Sequence, residues 1–248
     1  MKLSRNDMNE SKKAIIIGAS SGIGKEMALR FAKENWGRNW QVAITGRRKN
    51  LLDEIALVSP ANIIASTFDA DDTDALPARL DELVSRLGGL DLLVISAGCG
   101  YLNADMAPKL ELQTLRTNVA SFTASATWGF NHFKKQGFGQ LAAITSVGGL
   151  IGEAAAPAYS ASKAYQIMYL DSLHKRIKKE KLNCLITELR PGSVDTAMMK
   201  DDGHFWISSP KLAAELACQA ILKGKRLQYI SRRWWMIGFV LRTFSLFS

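Results

Sequence analysis

A short β-branched run, Ala14-Ile15-Ile16-Ile17, stops at Gly18, and an amphipathic stretch from Ile23 to Lys33 follows almost at once. Hydrophobic period and glycine placement together give strand, tight turn and helix in that order. The cycle then repeats. Apolar runs at 41–45, 63–68, 90–96, 140–145 and 182–189 are each separated from the next by a helix-length or shorter segment. Near-continuous apolar strands alternating with helices point to a parallel sheet covered on both faces. A chain of 248 residues, 47% hydrophobic and 22% charged, suits one such α/β domain. No internal repeat, low-complexity tract or Pro/Ser-rich linker divides it. The organisation expected is a flexible leader at 1–12, a single α/β domain at 13–222 and a basic, aromatic tail at 223–248.

Charge and cysteine content narrow the function classes. The net charge is +9, but Lys223, Lys225, Arg226, Arg232, Arg233 and Arg242 gather near the end and no Asp or Glu follows Glu215. The basic character therefore belongs largely to the tail, and without a nucleic-acid motif it does not suggest a nucleic-acid partner. Cys99, Cys184 and Cys218 form no CxxC pair and are odd in number, so a disulfide framework is not expected and the cytoplasm is. Residues Met1 to Lys13 mix both signs of charge without an apolar core, unlike a secretory signal. No metal site is expected: His132, His174 and His204 lack ligand spacing. The acidic run 69–74 lacks the glycine and final carboxylate of a calcium loop.

The first turn carries Gly18, Gly22 and Gly24, with Ser20, Ser21 and Ile23 between them. In a strand–turn–helix unit that binds a dinucleotide, one glycine permits the turn, another lets backbone approach the pyrophosphate, and a third lets helix pack on strand. The first helical amides and the helix dipole then face the diphosphate. The spacing is GxxxGxG and not GxGxxG, so position after the first strand carries the reading. The second strand ends in Thr45-Gly46-Arg47-Arg48. With two guanidiniums and no carboxylate to meet a ribose 2′-hydroxyl, NADP(H) is favoured over NAD(H); a solvated basic turn is the alternative. Asp69, after the third strand, either accepts from the adenine amino group or caps a helix beginning near Thr73.

Tyr159 and Lys163 stand at i and i+4, on one face of a helix. An unperturbed phenol titrates near about 10, too high for acid–base work near neutrality. An ammonium at roughly 5 Å, with an effective dielectric of about 20, would lower it by about two units. Ser146 follows the apolar run ending at Ile144, at the carboxyl edge where open α/β sheets bind ligands, and its hydroxyl could hold a substrate oxygen beside Tyr159.

On these motifs the chain resembles the short-chain dehydrogenase/reductase family over about residues 13 to 222. The resemblance implies a Rossmann-like doubly wound parallel sheet of about seven strands, order 3-2-1-4-5-6-7, with helices on both faces. It also implies a catalytic tetrad of Asn118, Ser146, Tyr159 and Lys163. Ala97-Gly98 would line the nicotinamide ribose, and Pro191, Gly192, Val194 and Thr196 would close over the nicotinamide. Asn118, Tyr159 and Lys163 would also touch the cofactor, and Asn118 would order a water for proton relay. Two departures stand out: Ile17 where the family commonly has Thr, and Ile95-Ser96-Ala97-Gly98 where it has Asn-Asn-Ala-Gly.

The implied reaction interconverts a carbonyl and a secondary alcohol by hydride transfer, on a small-molecule substrate of apolar character suggested by Met198, Met199, His204, Phe205 and Trp206 in the loop 193–209. A homodimer or homotetramer is implied by resemblance alone. The apolar segment 234–241, flanked by arginines, is shorter than the roughly 20 residues that cross a bilayer. Peripheral membrane contact through 232–247 or packing on the core are its two readings. With membrane contact, a keto-lipid or polyprenyl-linked keto-sugar becomes a candidate substrate. A non-catalytic NADP(H)-binding sensor or scaffold is the alternative of a different class.

Overall fold

A computed structural model describes residues 11–33, 39–196, 207–231 and 234. The leader up to Glu10, the loop residues Met198, Met199, His204, Phe205 and Trp206, and all of the 232–247 segment except Trp234 lie outside the described residues. Among the described residues seven strands and seven α-helices follow one another, first as β1 (Lys12–Ile17), α1 (Gly22–Lys33), β2 (Trp40–Gly46), α2 (Lys49–Leu57), β3 (Ile63–Thr67), α3 (Leu76–Leu87) and β4 (Leu92–Ile95). The second half continues with α4 (Pro108–Leu115), α5 (Phe122–Gln136), β5 (Gly139–Ile144), α6 (Pro157–Glu180), β6 (Cys184–Pro191), α7 (Pro210–Leu222) and β7 (Leu227–Ile230). Every pairing is parallel and the strand order is 3-2-1-4-5-6-7, as the family resemblance implies.

Both faces of the central sheet are buried, which is why β1 and β4 read as apolar runs instead of alternating. On one face Ala14, Ile16, Val42 and Val94 pack with Met27, Phe31, Ala213 and Ala217. On the other, Ile15, Ile17, Leu93 and Ile95 pack with Leu80, Leu83, Phe122 and Phe130. Consecutive residues of β1 thus serve opposite cores, as a period of two requires.

Register brings the chemistry to one edge. Ile17 lies opposite both Thr45 and Ile95, Ile95 opposite Ala143, and Ile144 opposite Leu189. Gly18, Gly46, Ser96, Thr145 and Arg190 therefore meet at the carboxyl ends of neighbouring strands, where the order turns from β1 outward in both directions, the place at which open α/β sheets bind ligands. The glycine turn is tight enough to forbid side chains: Gly18 has φ +85°, and a Cβ there would stand 2.4 Å from the Ala97 nitrogen. A Cβ on Gly24 would stand 2.5 Å from the Gly18 oxygen and 2.7 Å from Ser96 Oγ. Ser96, the departure after β4, thus packs its short side chain beneath α1.

β7 pairs residues 227–230 with β6, so the sheet takes in a stretch that the sequence reading gave to the basic tail. Its four residues gave no apolar signal because only Ile230 is fully buried and Lys223, Lys225 and Arg226 precede it. At the other end β1 already includes Lys12, the last residue assigned to the leader, whose ammonium pairs with Asp91 at 2.6 Å.

Candidate active site

The helix carrying Tyr159 and Lys163 starts where its sequence directs. Pro157 opens α6, where a missing N–H costs nothing, and the Glu111 carboxylate accepts from the Ala158 amide at 2.9 Å. Glu111 also accepts from Asn103 Nδ2 at 2.6 Å, and the Asn103 amide donates to the Ala155 carbonyl at 2.8 Å. These bonds clamp the loop after β4 against the loop before α6, with Tyr159 between them. The phenol ring lies against Gly100, where a Cβ would approach Cδ2 to 2.6 Å.

Ser146 reaches the same place from β5. Its backbone is extended, φ −164°, and its Oγ accepts from the Gly148 amide at 3.0 Å and hydrogen-bonds the Tyr159 side chain. Lys163, 4% exposed, places Nζ 5.9 Å from the centre of the Tyr159 ring and donates to the Ile144 carbonyl at 3.1 Å and to Gln166 Oε1 at 2.9 Å. Asn118, fully buried, sits in a single widened π turn, Arg116–Ser121, between α4 and α5. Such turns recur at functional sites. Its Oδ1 accepts from the Cys99 amide at 2.9 Å, and its Nδ2 donates to the Cys99 carbonyl at 2.7 Å and to Ser162 Oγ at 3.0 Å. Asn118, Ser146, Tyr159 and Lys163 thus come together from three separate elements.

The electrostatics of the pair differ from the simple expectation. Burial pushes the Tyr159 phenol above its ordinary value, and the hydrogen bond from Ser146 pulls back only in part. Burial also pushes the Lys163 ammonium down to about 8. Burial thus opposes the charged form of both members of the pair.

The Lys163 shift has a sign that can be measured. Between about pH 8 and the ordinary amine value the unfolded chain binds a proton that the folded chain does not, so the stability of the ligand-free protein rises with pH through that window. Desolvation pushes the half-buried Cys99 thiol and the buried Cys184 thiol up, and these act in the opposite sense at higher pH. A difference against Lys163→Met isolates the amine. Urea unfolding is expected to show wild type gaining on the order of 1 to 3 kcal/mol relative to Lys163→Met between pH 7.5 and 9.5; parallel profiles would show that the amine is not desolvated.

The glycine turn stands at the other end of this carboxyl edge. Gly22, φ +60°, stands within 3.4 Å of the Thr196 methyl by its would-be Cβ, so the turn after β6 reaches across the start of α1. Arg48 Nη2 donates to Ser20 Oγ at 2.7 Å and to Ser21 Oγ at 2.6 Å. Arg47 is exposed and pairs loosely with Asp69, 3.9 Å apart. Asp69 accepts from the Asp71 amide at 3.0 Å, and α3 begins only at Leu76 behind Ala75, so Asp69 shapes its own loop and does not cap that helix. Ala97 and Gly98 line the floor: a Cβ on Gly98 would lie 3.3 Å from Asn118 Oδ1 and 3.5 Å from Lys163 Nζ. Pro191 ends β6, the Gly192 amide donates to the Ile230 carbonyl at 2.9 Å, and Val194 bridges to Ser208. Trp234 lies flat against Gly192, where a Cβ would meet its ring at 1.9 Å.

Three contributors had no motif to mark them. Ser162 donates to the Tyr159 carbonyl at 2.7 Å while accepting from Asn118, Glu111 caps α6 across the fold, and Gln166 is 1% exposed and bonded to Lys163. Only Gln166 carried a hint, its i, i+3 spacing from Lys163.

Glycine turn, strand order and clustered Asn, Ser, Tyr and Lys define a nucleotide-binding oxidoreductase of the Rossmann type, and the chain belongs to the short-chain dehydrogenase family, whose model matches residues 12–205. It is 31% identical to an uncharacterized oxidoreductase of Myxococcus xanthus over 219 residues, 85% of this chain and 84% of that one. It is 28% identical over 197 residues to hydroxysteroid 11-beta-dehydrogenase 1-like protein B of Xenopus laevis, covering 75% of this chain and 64% of the relative. The fold matches a Burkholderia phymatum short-chain dehydrogenase/reductase solved in complex with NAD, with TM-score 0.79 and 16% identity over 93% of this chain and 92% of that one. Family membership indicates a nicotinamide cofactor. Among the described residues no helix is long and apolar enough to cross a membrane.

Proposed function

We propose that the protein is an NADP(H)-dependent oxidoreductase interconverting a carbonyl and a secondary alcohol, with Tyr159 as the acid/base. The convergence of Ser146 and Tyr159 beside buried Lys163 carries this reading. The residues fit a nicotinamide dinucleotide: Gly18, Gly22 and Gly24 leave a side-chain-free approach to the first amides of α1, and Ser20, Ser21, Ile23 and Arg48 surround it. Arg47 and Arg48, with no carboxylate at the end of β2, favour a 2′-phosphate. Pro191, Gly192, Val194 and Thr196 would cover the nicotinamide, and Ala97, Gly98 and Asn118 would lie beneath its ribose. When bound, the nicotinamide supplies the hydride and, oxidised, a positive charge close to the phenol.

In the reductive direction Ser146 donates a hydrogen bond to the substrate oxygen, and Tyr159 delivers its proton to the same atom. Lys163 holds its ammonium towards the ribose and compensates the phenolate left behind. Exposed Leu102, Met106 and Ile151 lie on the two loops that enclose Tyr159, which supports an apolar substrate. Three free cysteines support a cytoplasmic location, and the protein is proposed to act as a homodimer or homotetramer. Buried Trp234 supports packing on the core for the start of the tail.

The deciding measurement is NADPH oxidation with a panel of apolar ketones, aldehydes and keto-lipids. Steady turnover on at least one is expected; tight NADPH binding without turnover across the panel would favour a sensor or scaffold instead.

A further inference from the structure

We propose that Gln166 is a positioning residue that fixes the Lys163 ammonium, its side-chain oxygen accepting from Lys163 and its side-chain amide donating to the backbone carbonyl of Asn118. The two bonds measure 2.9 Å and 2.8 Å, and Gln166 is 1% exposed. Its catalytic meaning rests on the proposed role of Lys163, while its placement rests on geometry alone.

An ammonium has three donors and no preferred plane, so its direction is set by what accepts from it. Two donors are taken, by the Ile144 carbonyl at 3.1 Å and by Gln166 Oε1. The third is left for the crevice beside Gly98, whose missing Cβ would come within 3.5 Å of Nζ. Family resemblance assigns a water to Asn118; here a side-chain amide, which neither titrates nor exchanges, donates to that residue's carbonyl. Gln166 also joins the π turn to α6, so Asn118 and Lys163 move as one body.

The same bond acts on the charge of Lys163. Burial works against the ammonium, and an acceptor at 2.9 Å works for it. The titratable groups that face Nζ are Tyr159 on its own helix and Cys99 from the loop after β4. From β5 comes only the Ile144 carbonyl, and from the π turn the neutral Asn118. The chemistry at position 166 therefore sets the balance.

The test uses ligand-free protein and its complex with NADPH, in wild type, Gln166→Leu and Gln166→Glu. The readout is the pH at which stability to urea, taken as the difference from Lys163→Met in the same background, begins to rise. Without an acceptor, the leucine variant is expected to begin about one unit lower. With a carboxylate, the glutamate variant is expected to begin about one unit higher. A merely structural glutamine would lower stability at every pH without moving the onset, so coincident onsets overturn the proposal. If the leucine variant does not fold, the upward shift in the glutamate variant, which keeps the shape, carries the test alone. NADPH affinity, followed by fluorescence over the same pH range, separates the two ideas. About tenfold weaker binding by Gln166→Leu at pH 8 is expected. Shifted unfolding onsets with unchanged NADPH binding would keep Gln166 as the residue that positions Lys163 and reject Lys163 as part of the cofactor site.

Discussion

Tyr159→Phe is expected to lower kcat/KM for carbonyl reduction by about 10³-fold or more, since a positioned general acid contributes roughly 10²- to 10⁴-fold, while NADPH affinity stays within about threefold. The substitution removes one oxygen and nothing else. The ring keeps its seat against Gly100, so no cavity opens, and Ser146 keeps its bond from the Gly148 amide. The stability cost is that of one hydrogen bond, about 1 kcal/mol. Turnover by the phenylalanine variant near the wild-type rate would remove Tyr159 from the mechanism. Because burial holds the phenol above its ordinary value before any cofactor binds, the difference in phenolate absorbance between ligand-free wild type and Tyr159→Phe should be absent below pH 9. Any phenolate seen near neutrality should appear only with oxidised cofactor and vanish in Tyr159→Phe.

Replacing Arg47 and Arg48 together by alanine is expected to weaken NADPH binding by about 10²-fold with little change for NADH. Each charge-assisted hydrogen bond to phosphate is worth about 1.5–3 kcal/mol. The lower end applies because Arg47 is largely exposed and screened by salt. Arg48 is the better placed of the two, already oriented by Ser20 and Ser21 at 2.6–3.1 Å, so Arg48→Ala alone should account for most of the loss. Arg47 must first leave Asp69, and Asp69→Asn should therefore tighten NADPH modestly. The discriminating measurement is the ratio of dissociation constants at two salt concentrations. Equal weakening of NADPH and NADH would show that the arginines brace the glycine turn and do not read a 2′-phosphate.

β1 and β4 were legible in the sequence because a central strand buried on both faces reads as a continuous apolar run, and Ile15-Ile16-Ile17 is such a run. β7 was not legible, because an edge strand with one buried residue in four has no such pattern. The tetrad could be read from spacing joined to family resemblance, since Tyr159 and Lys163 are tied by one helical turn and Ser146 by its place at a strand end. The bonds that orient the tetrad could not. Glu111 reaches Ala158 across 47 positions and Gln166 reaches Asn118 across 48, and no local pattern encodes a contact of that separation.

Sequence by itself determined the crossover fold, the glycine turn and the residue types at the carboxyl edge, because these depend on periodicity, on backbone freedom and on side-chain chemistry within a few residues. Only the tertiary structure decided which charges those side chains carry and where they point. Lys163 is desolvated by elements from across the fold, and its direction is set by the carbonyls of Ile144 and Gln166. Desolvation and hydrogen-bond direction are sums over neighbours in space, and the chain acquires those neighbours only when it folds.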